Sequence, residues 1–280
     1  MVPHTPFEAR NDDPLVRVVN LSKSYEQRRP LTGRAFRVDA FADVNLTIHR
    51  GATLAIVGAS GAGKSSLASC LGLLEEPSAG EIVFEGKDLL RLEKKELFSA
   101  HRQIQLIFQN PTSALNPRLT AEEIIAEPLE IQKIGTRDDR RARAREIIDE
   151  VGLSARMAGM RPMEFSGGQR QRLAIARALA LEPKLLILDE ALASLDLANQ
   201  QTILSLLGGL RAELSLTYVH ISHDLRFVSE FADEVAVMSR GRIVEQKPAA
   251  ELFARPEHPD TQALLAAMPS LESICLRRPA

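Results

Sequence analysis

The residues Gly58-Ala59-Ser60-Gly61-Ala62-Gly63-Lys64-Ser65 carry the densest chemistry in the chain. Their spacing is G-x-x-x-x-G-K-S, which cradles phosphate. Glycines let the backbone curl so that successive N–H groups face phosphate oxygens. A helix that starts at such a loop adds about half an elementary positive charge at its first turn. Lys64 then reaches the terminal phosphates, and the Ser65 hydroxyl is suited to magnesium. The pattern points to ATP with Mg2+. Ser66, at the start of the following helix, is grouped with the nucleotide-contacting residues.

A second set sits at Leu185-Leu186-Ile187-Leu188-Asp189-Glu190, an apolar strand that ends in two carboxylates. The C-terminal ends of strands are where α/β proteins place ligands. Asp189 suits the metal, and Glu190 suits a water molecule that must be polarised. A third set, Phe165-Ser166-Gly167-Gly168-Gln169, reads as a helix N-terminus. It is either an anion site or simply a serine cap with flexible glycines.

The elements that must position these residues alternate. Thr53–Val57, Leu185–Leu188, Thr217–Ile221 and Val235–Met238 are continuous apolar runs, the pattern of a parallel sheet covered on both faces. Helical stretches at Ser66–Leu73, Gln169–Leu181 and Ala198–Glu213 lie between them and suggest βαβ units. From about 120 to 160 the periodicity is helical and no strong strand occurs. The run Arg137–Glu146 there is either a basic patch or, on the plainer reading, a solvated face of mixed ion pairs. An exposed loop carrying Arg28, Arg29, Arg34 and Arg37 is expected over Gln27–Asp39, with a strand following at Phe41–Ile48.

Composition narrows the classes. The chain has 280 residues, 45% apolar and 26% charged, with net charge −2. It carries no global basic excess for nucleic acid. Cys70 and Cys275 are too few and too far apart for a disulfide framework or a zinc site, and a reduced compartment fits them. The first residues lack the basic start and apolar run of a signal peptide. The apolar stretches fall short of the roughly 20 residues needed to span a bilayer.

Taken together, the motifs resemble those of the ATP-binding cassette (ABC) ATPases. Ser166-Gly167-Gly168-Gln169 is that family's signature, placed between the phosphate loop and the Asp-Glu strand. The resemblance implies an α/β fold: a P-loop NTPase core of RecA-like type, an antiparallel β subdomain and an inserted α-helical subdomain. It implies that Tyr25 stacks on adenine and that Gln109 senses magnesium and the membrane partner. Asp196, in Leu195-Asp196, corresponds to the D-loop, and His223 to the switch histidine that contacts the γ-phosphate. Lys64, Gln109, Glu190 and His223 are the implied catalytic residues, and Ser65, Gln109 and Asp189 the implied metal set. The family usually has Pro-Thr after its catalytic glutamate, where this chain has Ala191-Leu192.

The expected divisions are a flexible tail over 1–14, an ATPase domain over 15–245 with its helical part at about 110–168, and a C-terminal extension over 246–280. Phe108–Arg118 and the tail from Arg255 to Pro269 resemble the peptide and nickel importers of the family, although an amphipathic helix alone would also account for the tail. The resemblance implies two transmembrane permease subunits, a second ATPase subunit, and a substrate-binding protein acting indirectly. It also implies a place on the cytoplasmic face of the inner membrane. No nucleic acid is expected as a partner. No iron–sulfur cluster is expected, since Cys275 stands alone. The alternatives are an exporter ATPase, or a non-transport cassette acting on nucleic acid or the ribosome.

Overall fold

The computed structural model describes residues 14–28, 35–110 and 114–267. The expected tail over 1–14 therefore falls almost wholly outside the described residues. So do Arg29 and Arg34 of the basic loop, Pro111–Ser113, and the end of the C-terminal extension with Cys275.

The chain begins with β1 (Val16–Arg28) and β2 (Ala35–Ile48), an antiparallel pair in register from Val16↔Ile48 to Arg28↔Ala35 with three shifts. This corrects the expected loop over Gln27–Asp39. Both of its ends are paired strand, and β2 starts six residues before Phe41. Residues 35–39 are all exposed. The ladder to β1 holds them rather than burial, so hydrophobicity could not reveal them.

Next come β3 (Thr53–Val57), α1 (Lys64–Leu71), β4 (Ala79–Phe84), the short β5 (Lys87–Asp88), α2 (Lys94–Gln103) and β6 (Ile104–Ile107). Two capped helices follow. In α3 (Ala121–Ile131), Thr120 and Glu123 form a capping box, and in α4 (Arg137–Glu150), Thr136 and Asp139 form another. Each box satisfies N–H groups that the first turn leaves unpaired. Four of the five arginines of α4 are engaged in ion pairs or bonds to carbonyls. Arg141 and Arg145 meet Glu122, Arg143 meets Glu146 and Glu150, and Arg140 bonds the Ile134 and Gly135 carbonyls.

The second half alternates α5 (Gly167–Leu179), β7 (Leu185–Asp189), α6 (Leu197–Leu214), β8 (Thr217–Ile221), α7 (Leu225–Phe231), β9 (Glu234–Ser239) and β10 (Arg242–Pro248). It closes with α8 (Ala249–Ala254) and α9 (Pro259–Ala266). Helices α1 and α5 each begin and end two residues earlier than their sequence patterns suggest. Gly72 ends α1, and Ser166 starts α5, so Gly167 and Gly168 lie inside its first turn.

Two sheets result. One is antiparallel in the order β2-β1-β4-β5, and the other has the order β10-β9-β3-β8-β7-β6. In the larger sheet β9, β3, β8, β7 and β6 pair in parallel, and only the edge pair β10–β9 is antiparallel. Its strands alternate within their apolar runs. Leu185 and Ile187 join one core with α1 and the smaller sheet, and Leu186 and Leu188 join another with α3 to α6. Both faces being buried, the period of two leaves no polar mark in the sequence.

Candidate functional site

The phosphate loop fills the turn from β3 to α1. Gly58 and Gly63 have φ of +155° and +102°, and a Cβ on them would come 2.0 Å from the Met238 carbonyl oxygen and 2.4 Å from that of Ala40. Neither position admits a side chain, which explains the glycines physically. Ala59, Ser60 and Gly61 are exposed, and Ala62 is buried. The Lys64 side chain is folded back into the loop, donating to the Gly58 carbonyl at 2.8 Å and the Ala59 carbonyl at 3.0 Å. Burial lowers the Lys64 pKa, against the pull of Glu190 and Asp189. The loop thus holds an ammonium among its own carbonyls, with backbone amides nearby.

The sheet brings the distant residues to this loop. Strands β3, β8, β7 and β6 are consecutive neighbours, so their C-terminal ends form one edge. Ser65 Oγ donates to Asp189 Oδ1 at 3.1 Å. Gln109, just past β6, donates through Nε2 to Glu190 Oε2 at 3.1 Å. His223 Nδ1, just past β8, lies 3.6 Å from Glu190 Oε1. Burial raises the Asp189 pKa, as does Glu190, while Ser65 and Lys64 lower it. Glu190 itself has a φ of +47°, uncommon for a side chain of its size. Its amide donates to the Ile221 carbonyl at 3.1 Å and its carbonyl accepts from Ala193 at 3.0 Å, which fixes the turn. Ala191 and Leu192, where the sequence departs from Pro-Thr, are buried. Gln200 secures them by donating to the Leu192 carbonyl at 2.8 Å.

Oxygen ligands of the Ser65–Asp189 kind suit a hard cation such as magnesium. Among the described residues no group of three or more His, Cys, Asp or Glu side chains converges on a metal position. The pair would therefore hold a cation only together with oxygens brought by the ligand, which is how magnesium binds on a triphosphate.

Tyr25 joins the loop from the smaller sheet. Its hydroxyl lies 3.4 Å from Ser66 Oγ and donates to Glu75 Oε2 at 2.6 Å. Ser166, Gly167, Gly168 and Gln169 are placed differently. Ser166 and Gln169 form a capping box, with the Ser166 amide donating to Gln169 Oε1 at 2.9 Å. A Cβ on Gly168 would meet Asn199 Oδ1 at 2.6 Å. Asn199 in turn donates to Asp196, which caps α6. The structure therefore brings the signature and Asp196 together. Among the described residues, none of their hydrogen bonds reaches the phosphate loop. Ser166 and Gly167 are exposed.

Sequence reasoning missed two participants, Glu75 and Lys23. The Glu75 contact to Tyr25 spans 50 residues, and Lys23, two residues before Tyr25, is drawn in through its ion pair with Glu75. It also missed a cavity of about 210 Å³ beside Gln109, where His101, Gln105, Phe108, Ile131, Gln132 and Arg177 line the gap between β6 and the helices α3 and α5. Burial lowers the pKa of His101 there.

A parallel sheet with a phosphate loop, an Asp-Glu edge and a glycine-bearing capped helix defines a nucleotide-hydrolysing cassette. Comparison with known proteins agrees. Residues 41–193 match the model of the ABC transporter family. The chain is 47% identical over 262 residues to a probable peptide ABC transporter ATP-binding protein, y4tS, of Sinorhizobium fredii, covering 92% of this chain and 73% of that one. It is 42% identical to the dipeptide transport ATP-binding protein DppF of Escherichia coli, covering 94% of this chain and 79% of that one. Among solved structures, the ATP-binding cassette MJ0796 in a dimeric post-hydrolysis state with ADP and Pi matches with a TM-score of 0.74 and 31% identity, over 84% of this chain and 98% of that one. The chain belongs to the ABC transporter family, as an ATP-binding, ATP-hydrolysing subunit.

Proposed function

We propose that this chain energises a peptide importer of the bacterial inner membrane from its cytoplasmic face. The observation that carries the mechanism is the run of contacts Ser65–Asp189 and Gln109–Glu190–His223 at one sheet edge. Lys64 and the loop amides bind the phosphates. Ser65, Asp189 and Gln109 would hold magnesium, which supplies charge neutralisation on the phosphates. Glu190 orients and polarises the attacking water, with His223 and Gln109 fixing its carboxylate. Tyr25 stacks on the base.

Among the described residues no hydrogen bond of Ser166 to Gln169 or Asp196 reaches the phosphate loop, and on this reading they act on the nucleotide of a second cassette. The exposure of Ser166, Gly167 and Asp196 supports this, as does that of Leu197 (57%) and Met163 (71%) beside them. The MJ0796 relative is described as dimeric. The ATPase unit of this reading spans 15–245, with its helical part at about 110–168 and an extension from 246.

Two permease subunits complete the assembly. Phe108 and Ile131, which line the cavity near Gln109, and Phe98, whose carbonyl accepts from Gln132 of its lining, are exposed and form the surface for them. Among the described residues no helix is long and apolar enough to cross a membrane. The names of the relatives favour peptides over nickel complexes as cargo. Co-purification from membranes tests the whole reading. Recovery with two multi-span proteins is expected, and a Glu190→Gln variant should bind ATP, turn over about 10²-fold or more slowly and accumulate as a dimer. Unchanged turnover in that variant would remove Glu190 from the mechanism.

A further inference from the structure

The geometry points to Lys23 and Glu75 as positioning residues for the nucleotide base, a clasp that fixes the Tyr25 ring relative to the phosphate loop. The inference rests on the reading of Tyr25 as the base-stacking residue and goes one step beyond it.

A tyrosine near the end of a hairpin strand has freedom that a stacking platform must lose before it binds. Here both ends of the problem are tied. The Tyr25 hydroxyl donates to Glu75 Oε2 at 2.6 Å, in the range of a charge-assisted hydrogen bond. The same oxygen lies 3.2 Å from Lys23 Nζ, which also donates to the Glu76 carbonyl at 2.8 Å. Lys23 is only 14% exposed. Its ammonium sits over the Tyr25 ring, 5.0 Å from the centroid. A cation on one face of an aromatic ring leaves the opposite face for a stacked base.

The backbone repeats the link. Ser78 donates from its amide to the Ser22 carbonyl at 2.7 Å, and the Ser24 amide donates to Ser78 Oγ at 3.1 Å. Strand β1 is thereby fastened to residues 75–78, which follow α1 after a three-residue turn and are tied to it by the Glu75 amide on the Ser69 carbonyl at 3.2 Å. The helix that starts at the phosphate loop and the ring meant for the base are thus joined by one set of hydrogen bonds. The protonation states agree. The Tyr25 hydrogen bond holds Glu75 below the usual carboxylate range, helped by Lys23, and burial together with Glu75 raises the Tyr25 phenol. At neutral pH the phenol therefore donates and the carboxylate accepts.

Two probes on the full chain separate this role from plain structural support: ATP, and inorganic tripolyphosphate, which has phosphates but no base. Tyr25→Ala should weaken ATP binding by roughly 5- to 150-fold, the worth of one stacked base. Glu75→Ala and Lys23→Met should each weaken it by about two- to tenfold, the cost of ordering one side chain on binding. Glu75→Gln keeps an acceptor for the phenol and should recover most of the loss. Tripolyphosphate affinity should stay at the wild-type value in all four variants. Wild-type ATP affinity in both Glu75→Ala and Lys23→Met, with Tyr25→Ala still impaired, overturns the clasp alone. Equal loss for ATP and tripolyphosphate also overturns it, since that marks general damage to the loop. Unimpaired ATP binding by Tyr25→Ala would remove the base-stacking reading itself, and the clasp with it.

Discussion

Replacing Glu245 with alanine should release the C-terminal helix α9 from the larger sheet. Glu245 projects from β10 with its side chain 5% exposed. It accepts the Glu257 amide at 3.0 and 3.3 Å and the His258 amide at 3.0 Å, and Lys247 Nζ is 3.4 Å away. Burial would push its carboxyl upward. The His258 and Glu257 amides together with Lys247 outweigh burial and hold it at about 2, below the ordinary 4.5. At about 1.4 kcal/mol for each tenfold change, that displacement corresponds to a ceiling of about 3 kcal/mol. Solvent at the exposed Glu257 side of the cluster screens it toward about 2 kcal/mol. Hydrogen-bond counting gives the same range, since two amide donors to a carboxylate contribute about 1.5 kcal/mol each. Amide exchange over 258–266 should then run roughly 30- to 150-fold faster in Glu245→Ala.

The pH dependence has a definite sign. A carboxyl depressed by folding stabilises fully above its unfolded value of 4.5 and loses that contribution as the pH falls toward about 2. Wild-type protection of α9, corrected for intrinsic exchange, should fall over that window, and the variant should show no such fall. Equal exchange in the two chains at neutral pH would refute the reasoning, and so would an identical acid response.

Three further outcomes follow from local geometry. Gly63→Ala places a Cβ 2.4 Å from the Ala40 carbonyl at a φ of +102°; ATP binding by calorimetry should drop more than about tenfold, with about 2 kcal/mol of strain also lowering the melting temperature. Ser166→Ala removes one capping bond, so the lone chain should lose only about 1 kcal/mol of stability, while turnover of the assembled transporter falls far more; small and equal losses in both would argue against a role across the dimer. Cys70 is fully buried and its thiol is pushed up to about 11, so in a Cys275→Ser background a thiol reagent at pH 8 should react only on unfolding, and rapid labelling of the folded chain would contradict this burial.

The geometry of the phosphate loop was legible in the sequence because its code is short-ranged. Gly58 to Ser65 carry it in eight adjacent residues, each glycine answering to its own backbone angle or to a nearby carbonyl. The capping boxes at Thr120, Thr136 and Ser166 are equally local, and β3, β7 and β8 announce themselves as unbroken apolar runs. The strand of β2 before Phe41 was not legible, because paired backbone holds it while its side chains stay exposed.

Which groups meet is a different matter. Ser65 finds Asp189 across 124 residues, and Gln109 finds Glu190 across 81. A hydrogen bond about 3 Å long tolerates only a few tenths of an ångström. No local preference supplies that accuracy. It comes from the order β3-β8-β7-β6, fixed by two cores packed on opposite faces of the sheet. The amino-acid sequence by itself determined the loop, the carboxylates and the chemistry they can do. The tertiary structure alone decided that Lys64 folds onto its own carbonyls and that Tyr25 is held by Glu75. It also decided that Asn199, which donates to Asp196, meets Gly168, because only packing between distant segments brings such groups into contact.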